Sequence, residues 1–173
     1  MKRSSTFGIV LCAVLAFASV AAAQSTTRRA AGTALNDTAG VSVALQAGGD
    51  SYRFTGQAKC THERQGYIYT VPAQLWSVEQ SDGTRSVHLT FWRPASGSAD
   101  MFTLHLQGGG TTHFTDTVKT PNGGSPRGSG QVTFAPAGAG GTFTVNVTAA
   151  NGTKISGTVR CDAFGAVYAE GGN

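Results

Sequence analysis

Beyond residue 39 no window of the sequence places apolar residues at the i, i+3, i+4, i+7 spacing of a helix face. A helical fold is therefore excluded, and so are sites that need a helix N-terminus. Gly138-Ala139-Gly140-Gly141 leads into a strand-like run, so it reads as a turn rather than a phosphate cradle. Gly128-Ser129-Gly130 falls short of the Gly-x-Ser-x-Gly elbow and no helix follows it. Charge is scarce, at 13% of residues. The nine acidic residues stand singly in different segments, which gives no sign of a paired-carboxylate glycosidase site. Basic residues are scattered apart from Arg28-Arg29, and a nucleic-acid role calls for a clustered basic stripe. No nucleic-acid partner is expected.

Long apolar runs are also missing. The one apolar stretch, from Phe7 to Val20, is shorter than the roughly 20 residues that a membrane-spanning helix needs. Lys2 and Arg3 precede it and Ala21-Ala22-Ala23 follows it, which is the order of a secretory signal peptide. Residues 1–23 are read as that signal, with cleavage near Ala23. The product is expected to be secreted or periplasmic and not membrane-spanning. Loss of Lys2 and Arg3 leaves 11 basic against 9 acidic residues, a charge of +2 in place of +4. Residues 24–39 are small and polar with no apolar period, as in a flexible leader. Residues 40–173 are then one domain of ordinary size.

Cysteine is limited to three residues, and Cys12 leaves with the signal. Cys60 and Cys161 remain, in a compartment where disulfides form and persist. Only one pairing is possible. In the chain-entropy model, closing a loop of about 100 residues contributes up to ~4.7 kcal/mol. Cys60-Thr61-His62 lacks the usual zinc spacing.

What the domain does contain is short alternating runs separated by Gly, Asp-Gly, Asn-Gly and Pro, the pattern of strands and turns. The expected fold is all-β, an antiparallel sandwich of about nine or ten strands. Its clearest part is a four-stranded meander from Ala73 to Lys119. Asp82-Gly83 reads as a two-residue type I′ turn that sets Val78 opposite Val87 and Trp76 opposite Leu89. The next pairs are Leu89 with Leu104 and Phe91 with Phe102. A turn at Gly108-Gly109-Gly110 sets Leu104 opposite Phe114 and His105 opposite His113. A final hairpin pairs Val147 with Ile155 and Phe143 with Val159 through the loop Ala150-Asn151-Gly152, with Gly152 in a bulge. Further strands are expected at Val41–Leu45, Tyr52–His62, Tyr67–Val71 and Gln131–Phe134.

An early strand ending in Cys60 and a last strand ending in Cys161 (Ile155-Ser156-Gly157-Thr158-Val159-Arg160-Cys161) resemble the mycobacterial surface lipoprotein antigens. The resemblance covers these two segments and no chemical motif. The chain departs from that group in lacking the lipidation cysteine.

Two sets of residues are candidates for a site. On the outer face of the expected meander His88, His105 and His113 form a row, close enough across strands to share a zinc or copper ion. Trp92, Met101, Tyr67 and Tyr69 are candidates for an exposed aromatic platform for a sugar ring or a protein partner. Asn36, Asn146 and Asn151 each begin a glycosylation triplet, which a Gly-, Thr- and Ala-rich chain also produces by chance. The leading expectation is an exported binding or surface-interaction module without catalytic activity, with an unknown protein or glycan ligand. The alternatives are a small metal-dependent or hydrolytic envelope enzyme using the histidine row, and a structural envelope protein.

Overall fold

Alternation decides the architecture from the first strand. Val41, Val43 and Leu45 are buried while Ser42 and Gln46 face water, the pattern of a sheet with one dry face. A computed structural model describes residues 38–119 and 125–167. The expected signal peptide lies outside the described residues, as does residue range 24–37 of the expected leader. Thr38 and Ala39, read as leader, instead open the first strand.

The strands are β1 (Thr38–Ala47), β2 (Asp50–Ile68), β3 (Val71–Ser81), β4 (Ser86–Pro94), β5 (Met101–Gly108), β6 (Thr111–Asp116), β7 (Ser129–Ala137), β8 (Gly140–Thr148), β9 (Lys154–Cys161) and the short β10 (Gly165–Ala166). They form one sheet in the order β6-β5-β4-β3-β2-β1-β9-β8-β7, with β10 parallel to β2 and every other pairing antiparallel.

The chain is all-β with nine to ten strands, as expected, but two packed sheets are replaced by one that curls into a nearly closed barrel. Its two ends meet at the bottom of β6. Asp116 N donates to Arg127 O at 2.7 Å, Arg127 N donates to Asp116 O at 2.9 Å, and Ala150 N donates to Phe114 O at 2.8 Å. Curling does the work of sheet-on-sheet packing, because facing walls share the interior. Trp76 of β3 reaches Phe134 of β7 at 5.0 Å between ring centroids, and Phe91 of β4 reaches Phe143 of β8 at 5.7 Å. It also shortens the exposed sheet edge, which attracts unwanted pairing. Gly157 permits the curvature at β9. It has φ +137, and a Cβ there would strike the carbonyl oxygen of Ala44.

The disulfide joins Cys60 and Cys161, 101 residues apart, and both residues are buried. It pins β2 to the end of β9 across β1, where Val41 pairs with Cys161.

The registers hold in two hairpins and shift in two. Leu89–Leu104 and Phe91–Phe102 pair as expected, as do Val147–Ile155 and Phe143–Val159. The last hairpin turns with Gly152 at φ +84 and Ala149 N donating to Thr153 O at 2.8 Å. Between β3 and β4, however, the loop is Asp82–Arg85, so Val78 faces Leu89 and Trp76 faces Phe91. The Asp82 carboxylate causes this by accepting from Thr84 N at 2.9 Å, Thr84 Oγ1 at 2.8 Å and Arg85 N at 2.7 Å. The same three donors hold its pKa below the ordinary carboxylate value. A shift of two residues leaves each side chain on its expected face.

Between β5 and β6 the slip is one residue, and the consequence is larger. Gly109 and Gly110, at φ +58 and +75, make a two-residue turn that pairs Gly108 with Thr111. His105 therefore faces Phe114, and Leu106 faces His113. The whole of β6 is reversed relative to expectation. The expected strand Tyr67–Val71 is likewise absent, since β2 runs on to Ile68 and the chain turns at Tyr69-Thr70.

Candidate functional site

The long β2–β3 hairpin contains one irregularity. Glu63 pairs with Leu75 and Gly66 with Ala73, so β2 carries an extra residue at this point. A bulge of this kind reverses which side chains face outward. Ile68 thereby comes onto the same face as Leu75, which pairs with Trp92. The hairpin tip ends beside the outer face of β4, β5 and β6. Tyr67, Ile68 and Tyr69 from the tip, Trp92 from β4, Thr103 from β5, and Asp116 and Val118 at the end of β6 line one open groove of about 350 Å³.

Three of the four expected platform residues are thus brought together. Met101 pairs with Trp92 in register but does not line the groove. Tyr67 and Tyr69 are 66% and 50% exposed, the two most exposed large apolar side chains among the described residues. Tyr69 also has φ +55, the only positive φ of a non-glycine residue there. A bulky residue in this region costs of order 1–3 kcal/mol, and such strain clusters at binding sites. Beside the rings, Asp116 Oδ1 accepts from Val118 N at 2.8 Å, while Oδ2 accepts no hydrogen bond among the described residues.

The groove does not stop at Tyr67. That residue also lines a cavity of about 500 Å³ with Pro72, Pro94, Arg64, Gln74 and Arg93. Arg64, Gln74 and Arg93 in turn line a third cavity of about 400 Å³ at the mouth of the barrel, over Trp76, Phe134 and Phe164. Here His62 lies on Trp76, and its Nε2–H donates to Gln74 Oε1 at 3.2 Å. Burial lowers the His62 pKa, the Gln74 bond opposes that, and the Arg64 charge adds to it. Arg93 is fixed by Asp100, with Nε 3.2 Å from Oδ1 and Nη2 3.0 Å from Oδ2, and its guanidinium lies 5.8 Å from the Trp76 ring centroid. The sequence places Trp76 in the meander and His62 in a triplet without zinc spacing, and it marks none of these mouth residues as part of a site. The signal that could have found them is the pairing of His62 with Trp76 across β2 and β3.

The histidine row is broken by the slip in β6. His88 and His105 are cross-strand neighbours on the outer face. His88 Nε2 lies 3.7 Å from Glu79 Oε1, and His105 meets the edge of Phe114 at 6.0 Å. His113 is on the other face, inside the barrel and 3% exposed. Asn151 Nδ2 donates to His113 Nδ1 at 3.2 Å, which places the ring proton on Nε2. The zinc or copper reading thereby loses its third ligand. Among the described residues no group of three or more His, Cys, Asp or Glu side chains could hold a metal ion, and no helix is long and apolar enough to cross a membrane.

Fold and site together define a disulfide-pinned, nearly closed antiparallel β barrel with an aromatic groove on its outer wall. No protein-family model, no curated protein and no solved structure gives a significant match to the chain, so the resemblance to the lipoprotein antigens rests on the two Cys-ended strands alone.

Proposed function

We propose that this protein is an exported, non-catalytic glycan-binding module that seats a sugar ring in the groove between the β2–β3 hairpin tip and Trp92. The carrying observation is that Tyr67, Tyr69 and Trp92 line one groove, with Tyr69 held in a strained conformation that leaves its ring half exposed. Aromatic faces give a sugar ring a flat apolar seat at low entropic cost. The Thr103 hydroxyl and Asp116 Oδ2 are the hydrogen-bonding groups that such a seat needs to orient hydroxyls. Two features support export. Residues 2–23 follow the charged, apolar, small-residue order of a signal peptide, and the disulfide suits an oxidising compartment.

The test is a broad oligosaccharide array followed by fluorescence titration of the purified chain. Trp92 and Trp76 are the only tryptophans, and Trp76 is buried. A bound sugar is expected to produce a saturable change that disappears in Trp92→Phe and weakens at least tenfold in Tyr67→Ala. Absence of binding to every sugar on the array would overturn the reading.

A further inference from the structure

Resting on that reading, we infer that the glycan is acidic: its sugar chain continues from the aromatic groove over Tyr67 and presents a carboxylate to Arg64 and Arg93. Tyr67 is common to the groove and the rim cavity, and Arg64, Gln74 and Arg93 are common to the rim cavity and the barrel mouth. The groove thus meets the rim cavity at Tyr67 alone, at the hairpin tip, and the rim cavity meets the mouth at three residues, which sets the line of the trough we infer. No Asp or Glu lines the rim or mouth portions. Glu63 precedes Arg64 in sequence but borders neither.

The charges along the trough are unequal. Asp100 offsets Arg93 and fixes it, leaving Nη1 without a partner among the described residues. Arg64 is exposed and has no ion pair among the described residues. One guanidinium is thus held in place and a second is uncompensated, beside an imidazole whose burial disfavours its charged form. A planar carboxylate fits such forks better than a hydroxyl does. At the other end Asp116 would repel an acidic group. The trough therefore also sets ligand direction, with a neutral ring at Trp92 and the acid at the arginines.

Matched pairs of oligosaccharides, each a uronic-acid form and its carboxyl-reduced neutral counterpart, distinguish the possibilities by titration calorimetry on the purified chain. The acidic member is expected to bind at least tenfold more tightly at low salt. That advantage should shrink severalfold in half-molar salt as the charges are screened, and should be largely lost in Arg64→Gln. Arg64 is exposed on a strand edge bulge, so this variant is expected to keep the wild-type unfolding midpoint. Equal affinity within every pair, with binding still lost in Trp92→Phe, overturns the acidic assignment and leaves the groove reading standing. Failure of both members of every pair overturns both. A tenfold preference for sulfated over uronic-acid chains, abolished in Arg64→Gln, overturns the carboxylate and assigns a sulfate to the same arginines.

Discussion

His62 lies flat on Trp76, with ring centroids 4.3 Å apart and planes 7° from parallel. The stack joins β2 to β3 at the mouth of the barrel, and the charges around it are Arg64 on β2 and Arg93 on β4. Burial holds the imidazole pKa below its ordinary value. In the unfolded chain the ring returns to about 6.5, so between the two values the unfolded state binds more protons. Stability then rises with pH across that window. The stack is expected to contribute fully above about pH 7 and to weaken as pH falls through the window. Urea unfolding followed by Trp fluorescence from pH 8 to pH 4.5 should show this fall in wild type. The same series in His62→Phe, which keeps the stack and removes the titration, should be flatter between pH 7 and pH 5. Parallel curves for the two proteins would show that His62 does not titrate on unfolding.

Tyr69 supplies a separation of stability from binding. Its φ of +55 is a region where glycine pays no steric penalty. Tyr69→Gly should relieve the strain and, after the entropy that glycine adds to the unfolded chain, stabilise the domain by ~1 kcal/mol. The same change removes a ring from the groove and should weaken sugar binding. Tyr67→Ala, at a 66% exposed position, should weaken binding with a stability change within ±0.5 kcal/mol. Denaturant midpoints and glycan titrations on the two variants check both halves. Loss of stability in Tyr69→Gly would show that the Tyr69 ring packs more than it strains.

Much of the barrel is legible in the sequence because a one-sided sheet writes its burial as alternation. Val41-Val43-Leu45, Val87-Leu89-Phe91 and Phe102-Leu104-Leu106 all point inward as their period requires. Alternation fixes the face but not the neighbour, and it cannot tell a curled sheet from two flat ones. Registers depended on turn chemistry. Asn151-Gly152 was readable because one loop length alone matched apolar with apolar positions. The run Gly108-Gly109-Gly110 admits two loop lengths, and they differ in whether His113 or Phe114 faces inward. Apolar periodicity favours Phe114, yet Phe114 is accommodated outside by the Arg127 guanidinium at 4.4 Å from its ring centroid. The aromatic groove was half visible. Its residue types were evident, but their convergence depends on a bulge between Glu63 and Gly66 that leaves no compositional mark.

The disulfide should matter most through the unfolded chain. It closes a 101-residue separation and so ties β3 through β9 into one loop. Replacing both cysteines by Ala is expected to cost about 2–5 kcal/mol. The folded topology should survive, because Val41, Val43 and Leu45 continue to join β1 to its neighbours. Urea unfolding of the double variant beside oxidised and reduced wild type measures this. Reduced wild type should match the variant within about 1 kcal/mol; a much larger loss in the variant would assign the effect to packing at the two sites.

His113 presents the opposite case, a buried polar residue whose removal should cost little. Its Nδ1 accepts from Asn151, but among the described residues its Nε2–H has no partner, and the neighbouring Tyr52 hydroxyl and Thr115 Oγ1 are also buried without one. Tyr52 meets the imidazole edge-on at 6.5 Å between centroids, in a wall otherwise made of residues such as Leu106 and Val87. A buried donor left unpaired costs about 1–3 kcal/mol, whereas one neutral hydrogen bond contributes about 1 kcal/mol. His113→Leu gives up the Asn151 bond but removes the orphan donor and fills the same wall with an apolar side chain. It is therefore expected to be neutral or stabilising by up to about 1 kcal/mol. Asn151→Ala, which leaves both imidazole nitrogens unpaired, should cost about 1–2 kcal/mol. In the double variant only the imidazole's share of the Asn151→Ala penalty should vanish, because Asn151 Oδ1 also accepts from Thr153 N at 3.1 Å in the turn. Urea midpoints of the four proteins test this cycle. A loss above about 2 kcal/mol in His113→Leu would mean that Nε2–H is satisfied after all, by an ordered water bridging it to Tyr52 or Thr115.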